Sequence, residues 1–209
     1  MTDPVRRVAV LDYGAGNVRS ARRGFEAAGA NVTITASPTV AAGADVLVIP
    51  GVGHFASCVA NLRDAGLHRV LETWIADDRP LFGICVGMQL LYATSEEGDE
   101  PGLGLLPGRV VRLPAGTQVP HLGWNVVEDT RDDPLFAGID RERFYFTHSY
   151  YAVPDDQDHV VARCTHGSVD FPCVVREGNV VGTQFHPEKS GAIGIQLLAN
   201  WLRSLDTSP

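Results

Sequence analysis

The residues best placed to do chemistry in this sequence are a cysteine set between glycines and a histidine two positions before a glutamate. The stretch Leu81-Phe82-Gly83-Ile84-Cys85-Val86-Gly87-Met88-Gln89 brings an apolar run into Cys85 and leaves it through helix-forming residues. If Cys85 ends a strand and begins a helix, the chain reverses sharply there. Side chains two positions either side would collide, and both positions are glycine, the G-x-nucleophile-x-G pattern of a nucleophile elbow. Such a turn presents sulfur at a helix N-terminus, where unpaired N–H groups and the helix dipole favour an anion. A thiolate favoured in this way attacks carbonyl carbon. The pattern alone serves equally well as a tight turn around a packed, apolar cysteine, so its partners must decide.

The best partner lies in Gln184-Phe185-His186-Pro187-Glu188-Lys189. Residues two apart in extended chain project to one side, so His186 and Glu188 can lie together while Pro187 restricts the backbone between them. A carboxylate so placed holds the imidazole's tautomer and steadies its cation, the third member's role in a hydrolytic triad. A further stretch, Pro50-Gly51-Val52-Gly53, follows the apolar segment Asp45 to Ile49. Its glycines allow backbone geometries that turn N–H groups inward. Gly51 and Val52, with the Val86 N–H, make a candidate oxyanion hole. Together the three stretches favour thiol-based acyl transfer.

These stretches need a scaffold that brings strand ends together. The first half alternates apolar runs at Val8 to Leu11, Asn31 to Thr35, Asp45 to Ile49 and Pro80 to Ile84 with helical patterns. Val18, Ala21, Phe25 and Ala28 share one helical face, and Arg19, Arg22, Arg23 and Glu26 the other. One or two helices are expected over Ala56 to Asp78, around Gly66. From about Gly108 the segments are short and rich in β-branched and aromatic residues, with a hairpin turning at Glu177-Gly178-Asn179. A last helix is expected from Ser190 to Leu205. The pattern predicts an α/β fold: one domain over residues 1–209, an open and mostly parallel sheet flanked by helices, with additional antiparallel strands in the second half. In such sheets sites gather beyond the carboxyl ends of the strands, where all three stretches fall.

A net charge of −8 argues against a broad basic surface for nucleic acid, and the arginines on the first helix read as a solvated face. The start lacks a signal peptide's apolar segment and no run approaches membrane-spanning length, so a cytoplasmic protein is expected. The four cysteines form no CxxC pair and fit no zinc framework. No metal is expected, and three of them are expected to be buried thiols.

The chain resembles the class I glutamine amidotransferases along nearly its whole length. The stretches that carry the resemblance are DYGAGNVRS (Asp12 to Ser20), PGVG (Pro50 to Gly53), GICVGMQ (Gly83 to Gln89), PHLGWN (Pro120 to Asn125), HSYY (His148 to Tyr151) and QFHPEKS (Gln184 to Ser190). The resemblance implies a flavodoxin-like sheet, no cofactor, and a Cys85–His186–Glu188 triad that hydrolyses L-glutamine through a cysteinyl thioester. It implies that Gly53, Gln89, Ser149 and Tyr150 hold the amino-acid end of glutamine. DYGAGN, PGVG and PHLGWN are similar to the branch that supplies ammonia to a (β/α)8-barrel cyclase in histidine biosynthesis, as a heterodimer. Asn17, Pro120, His121, Trp124 and Lys189 match positions near that interface. The resemblance also implies activity held low until the partner binds its own substrate, with reorientation of the Gly51–Val52 peptide as the switch. His54 departs from the family's small residue after PGVG and receives no role. Two other readings stay open: a glutaminase serving another synthase or a γ-glutamyl hydrolase, and a catalytically silent module that steadies a partner.

Overall fold

The computed structural model describes residues 5–129 and 131–205; the two ends of the expected domain, residues 1–4 and 206–209, and residue 130 lie outside the described residues. Strand and helix alternate first: β1 (Arg7–Leu11), α1 (Val18–Ala27), β2 (Asn31–Thr35), α2 (Pro38–Ala42), β3 (Val46–Ile49), α3 (Phe55–Asp64), α4 (Leu67–Ala76) and β4 (Leu81–Ile84). A single-turn helix, α5 (Val86–Gln89), comes next. Strands then dominate: β5 (Tyr92–Ser95), β6 (Leu106–Arg112), β7 (His121–Val126), β8 (Glu128–Asp129), β9 (Arg143–His148), β10 (Tyr150–Pro154), β11 (Val160–His166), β12 (Val169–Glu177) and β13 (Val180–Thr183). The helix α6 (Gly191–Ser204) follows.

The main sheet has eight strands in the order β2-β1-β3-β4-β13-β12-β11-β8. From β2 to β13 neighbours run parallel, and the remaining strands extend the sheet antiparallel, as the change of texture along the chain predicts. β3 and β4 are buried throughout, which is why VLVI and LFGI show no polar alternation. Phe25 of α1 and Trp201 of α6 pack edge-on against Phe82 of β4, with ring centroids 5.8 and 4.8 Å away. Each such aromatic pair adds about 1 kcal/mol to the burial itself. The arginine face of α1 is solvated, and Arg22 Nε pairs with Glu26 Oε1 at 2.7 Å. Two smaller units flank the sheet, a three-stranded β10-β6-β5 and a ribbon of β7 and β9.

The segment before β4 holds two helices, parted at Gly66 with φ 69°, within the one or two expected there. One expectation needs adjustment. The helix after Cys85 is shorter than the run Met88, Leu90, Leu91 suggests. Leu90 and Leu91 give their carbonyls to the amides of Leu103 and Leu105, at 2.9 and 2.7 Å. The chain is thereby drawn into β5 beside β6, so tertiary pairing overrides helix propensity. Among the described residues no helix is long and apolar enough to cross a membrane.

Parallel pairing sets where the site lies. In register, Ile49 of β3 faces Gly83 of β4, and Thr183 of β13 faces Ile84. The chain therefore leaves all three strands at one edge, carrying Pro50, Cys85 and Gln184 to the same level.

Candidate active site

Cys85 occupies the turn between β4 and α5 with φ 53° and ψ −109°, a conformation rare for any residue but glycine. Such strain costs about 1–3 kcal/mol and persists only where the surroundings enforce it. Here the Cys85 amide donates to the Thr183 carbonyl at 2.7 Å, and the Met88 and Gln89 amides return to the Cys85 carbonyl at 3.0 and 3.2 Å. The flanking glycines are needed as the elbow pattern requires. A Cβ at Gly83 would lie 2.8 Å from the Gly87 carbonyl oxygen, and one at Gly87 would fall on the Ile49 carbonyl. The sulfur lies 3.6 Å from Gln184 Nε2 and 3.8 Å from the Thr147 carbonyl.

His186 and Glu188 do meet, though not across extended chain. His186 is extended and Pro187–Lys189 form one 3-10 turn, which curls Glu188 back beneath the ring. His186 Nδ1 lies 2.7 Å from Glu188 Oε1, with both side chains fully buried. The carboxylate only accepts, so Nδ1 carries a hydrogen and Nε2 is the nitrogen left for Cys85. Asn17 Nδ2 donates to the same Glu188 oxygen. Ser190 Oγ donates to the His186 carbonyl at 2.7 Å and holds the backbone. Burial pulls the His186 pKa down, but the negative charge of Cys85 and the bond to Glu188 outweigh it and raise it to about 10. Nε2 makes no hydrogen bond of ordinary length. Hydrogen bonds between a nucleophile and its base are often long without substrate and tighten in the complex.

The Pro50-Gly51-Val52-Gly53 loop packs directly on the elbow. A Cβ at Gly51 would fall on the Gly87 amide nitrogen and lie 2.8 Å from Val86 Cβ. The loop is held from behind by a residue the sequence did not single out. The Tyr13 hydroxyl donates to the Pro50 carbonyl, and burial raises its pKa well above the usual phenol value, which keeps it a donor. Gly16 lies against Val52, and Asn17 reaches Glu188. The turn after β1 therefore grips both the loop and the carboxylate.

A cleft of about 250 Å³ opens above Cys85, a volume suited to an amino acid rather than a polymer. Its walls bring together Val52, Gly53, Cys85, Val86, Gln89, Ser149 and Tyr150. Gln89 does not lie on an exposed helix face; it is 2% exposed. Its Nε2 donates to the Tyr150 carbonyl at 2.8 Å and to Gln184 Oε1 at 3.1 Å. Glu97, Thr147 and His148 also line the cleft. Glu97 had no signal beyond an acidic tract. Its Oε2 accepts from the Phe55 amide at 2.8 Å, capping α3 where His54, at the N-cap, makes no side-chain cap. Gln184 and His148 stood inside quoted stretches without a role.

The remaining positions divide. Pro120 is exposed at the rim of the cleft. Leu122 and Trp124 are 61% and 51% exposed on one face of β7. Tyr145 packs edge-on to Trp124 at 6.1 Å, and exposed Lys189 holds its Nζ 6.0 Å from the Tyr145 ring. His121 does not join this face. It is 3% exposed and points inward, because strand alternation puts it opposite Leu122. The other cysteines are buried, and burial raises Cys58 to about 11, Cys164 to about 12 and Cys173 well above the usual thiol value.

A family model described as glutamine amidotransferase class-I matches residues 9–205. A protein of Natronomonas pharaonis named imidazole glycerol phosphate synthase subunit HisH is 51% identical, over 96% of this chain and 96% of that one. A protein of the same name from Halobacterium salinarum is 52% identical over 93% and 92%. Among solved structures, one titled PurLQS from Thermotoga maritima superposes with a TM-score of 0.74 at 21% identity, covering 97% of this chain and 100% of that one, a likeness of fold.

Proposed function

Because the chain belongs to the class I glutamine amidotransferase family, we propose that it is the glutaminase subunit of an imidazole glycerol phosphate synthase. It hydrolyses glutamine to glutamate and passes the ammonia to a cyclase subunit in histidine biosynthesis. The observation that carries the reading is the buried His186–Glu188 pair set against Cys85 at the floor of an amino-acid-sized cleft. A silent binding module has no use for a strained cysteine, a raised imidazole pKa and a buried carboxylate in one place.

The chemistry follows from the geometry. The Cys85 sulfur attacks the side-chain amide carbon of glutamine, and the carbonyl electron pair moves onto oxygen. That oxygen is received by N–H groups of the Gly51–Val52 loop and of Val86, the first residue of α5. His186 Nε2 gives its proton to the departing ammonia, while Glu188, steadied by Asn17, holds the ring in line. Neutral His186 then takes a proton from water, whose oxygen attacks the γ-glutamyl thioester. Glutamate leaves, and sulfur and imidazolium are restored. At the other end of the substrate, Gly53, Gln89, Ser149 and Tyr150 receive the amino-acid group. Glu97, a carboxylate in the same wall, faces the substrate's ammonium.

The partner is a (β/α)8-barrel cyclase docked on the face of Pro120, Leu122, Trp124 and Lys189. Exposed indole is a frequent anchor of such interfaces, and Lys189 offers a cation to an acid on the partner. His121 acts behind that face rather than in it. The Gly51–Val52 peptide reorients when the partner is loaded, glycine making the rotation inexpensive. The chain works as one domain over residues 1–209, in the cytoplasm. In the assembled pair, Cys85→Ala should abolish glutamine-dependent synthesis and leave synthesis from ammonium salts intact. Persistent use of glutamine would refute the reading.

A further inference from the structure

From the cleft wall at His148 inward runs a group of imidazoles that take no part in the bond-making steps. His121 of β7 and His148 of β9 are cross-strand neighbours, and His166 of β11 stacks on His121 at 4.0 Å. His121 and His148 are 3% and 6% exposed, among the rings of Phe146 and Phe171. Their partners determine where each proton sits. The Tyr150 carbonyl only accepts, so His148 Nδ1, 2.9 Å away, carries a hydrogen. Burial lowers His148 to about 3, so the ring is neutral near pH 7 and its Nε2 is a bare acceptor. His121 Nδ1, at 3.0 Å, therefore donates to it. Burial and nearby His166 lower His121 to about 4, leaving its own Nε2 to accept from Asn125 Nδ2 at 3.2 Å. The hydrogen bonds thus run one way, from Asn125 through His121 and His148 to the Tyr150 carbonyl.

That carbonyl is also the acceptor for Gln89 Nε2. Gln89 spends both amide hydrogens, on Tyr150 and on Gln184 Oε1, so its own Oε1 is the atom left for the cleft. Gln184 in turn places its Nε2 3.6 Å from the Cys85 sulfur. We propose that His121 and His148 form a positioning unit for the glutaminase reaction, fixing the Tyr150 carbonyl that orients the Gln89 carboxamide toward the substrate. The inference rests on the reading of the cleft as a glutamine site. Packing alone gives no reason for these rings. A phenylalanine would sit as well against Phe146 and Phe171, and a buried imidazole repays its desolvation only through hydrogen bonds.

The test compares His148→Phe with His148→Asn in the complex with the cyclase. Phenylalanine keeps the ring and loses both bonds; asparagine sets an amide donor where Nδ1 stood and keeps the bond to Tyr150. Rates are normalised to the fraction of Cys85 titrated by a glutamine-like chloroketone, which removes misfolded protein from the comparison. The glutamine KM of His148→Phe should rise about tenfold, the effect of one lost buried hydrogen bond. The kcat should fall less, His148→Asn should stay within about threefold of the parent KM, and synthesis from ammonium salts should be unchanged. If His148→Phe does not fold, His121→Phe removes the donor that orients His148 and is read the same way. A KM rise below threefold for phenylalanine, or no recovery with asparagine, overturns the proposal. A parent complex that releases no glutamate would instead overturn the glutamine reading.

Discussion

Replacing His186 with glutamine should slow alkylation of Cys85 near neutral pH. In the parent, His186 is held at about 10, raised above the 6.5 of a free imidazole. The ring is therefore an imidazolium at pH 7, and a cation beside the sulfur favours its ionised form. Alkylation by iodoacetamide, a neutral reagent that reports the thiolate, reads that support directly. In His186→Gln the cation is gone, and the rate at pH 7 should fall at least about tenfold, the effect of about 1.4 kcal/mol of lost charge stabilisation. Mass spectrometry of the single adduct reads the rate. Cys58, Cys164 and Cys173 stay silent, being buried with raised pKa values. An unchanged rate at pH 7 in His186→Gln would refute the proposed pairing of Cys85 with His186.

Three further substitutions address the loop, the substrate and the partner. Gly51→Ala places a Cβ 2.8 Å from Val86 Cβ and must push the loop off the elbow; glutaminase turnover should fall about 100-fold or more, with ammonium-dependent synthesis unchanged, and full turnover would exclude this loop from the oxyanion site. Glu97→Gln keeps an oxygen to cap Phe55 but loses the charge facing the cleft; the glutamine KM should rise about tenfold with kcat nearly constant, as expected for lost ground-state binding, and an unchanged KM counts against an ammonium contact. Trp124→Ala removes a side chain that is 51% exposed. Its melting temperature should hold within about 2 °C while the cyclase dissociation constant rises at least about tenfold. Undiminished affinity, measured by calorimetry, would move the interface elsewhere.

Much of the scaffold is legible in the chain because its signals are local. Runs such as VAVL and VLVI must be buried on both faces, and the face of Ala21 and Phe25 must turn inward. The need for glycine around Cys85 follows from the sharpness of one turn, and Pro187 keeps His186 and Glu188 close in any folded form. These features depend on residues within a few positions of one another, so the sequence by itself determined the α/β class and the nucleophile's candidacy.

The tertiary structure decided what the candidate nucleophile Cys85 is next to. Residue 183 pairs beside residue 84 only because β13 enters the sheet against β4, and no periodicity encodes a neighbour so distant along the chain. The pairing of β5 with β6 ended the helix after Cys85 at Gln89, and Glu97, just past β5, stands in the cleft wall. The pairing of β7 with β9 turned His121 inward to His148 while leaving Trp124 outside. Tyr13 beneath Pro50 and Asn17 on Glu188 are contacts of the same kind. Side-chain type and spacing name the groups that can react. Burial, charge and hydrogen-bond direction arise only where remote segments pack together, and those fix the protonation and aim of each group.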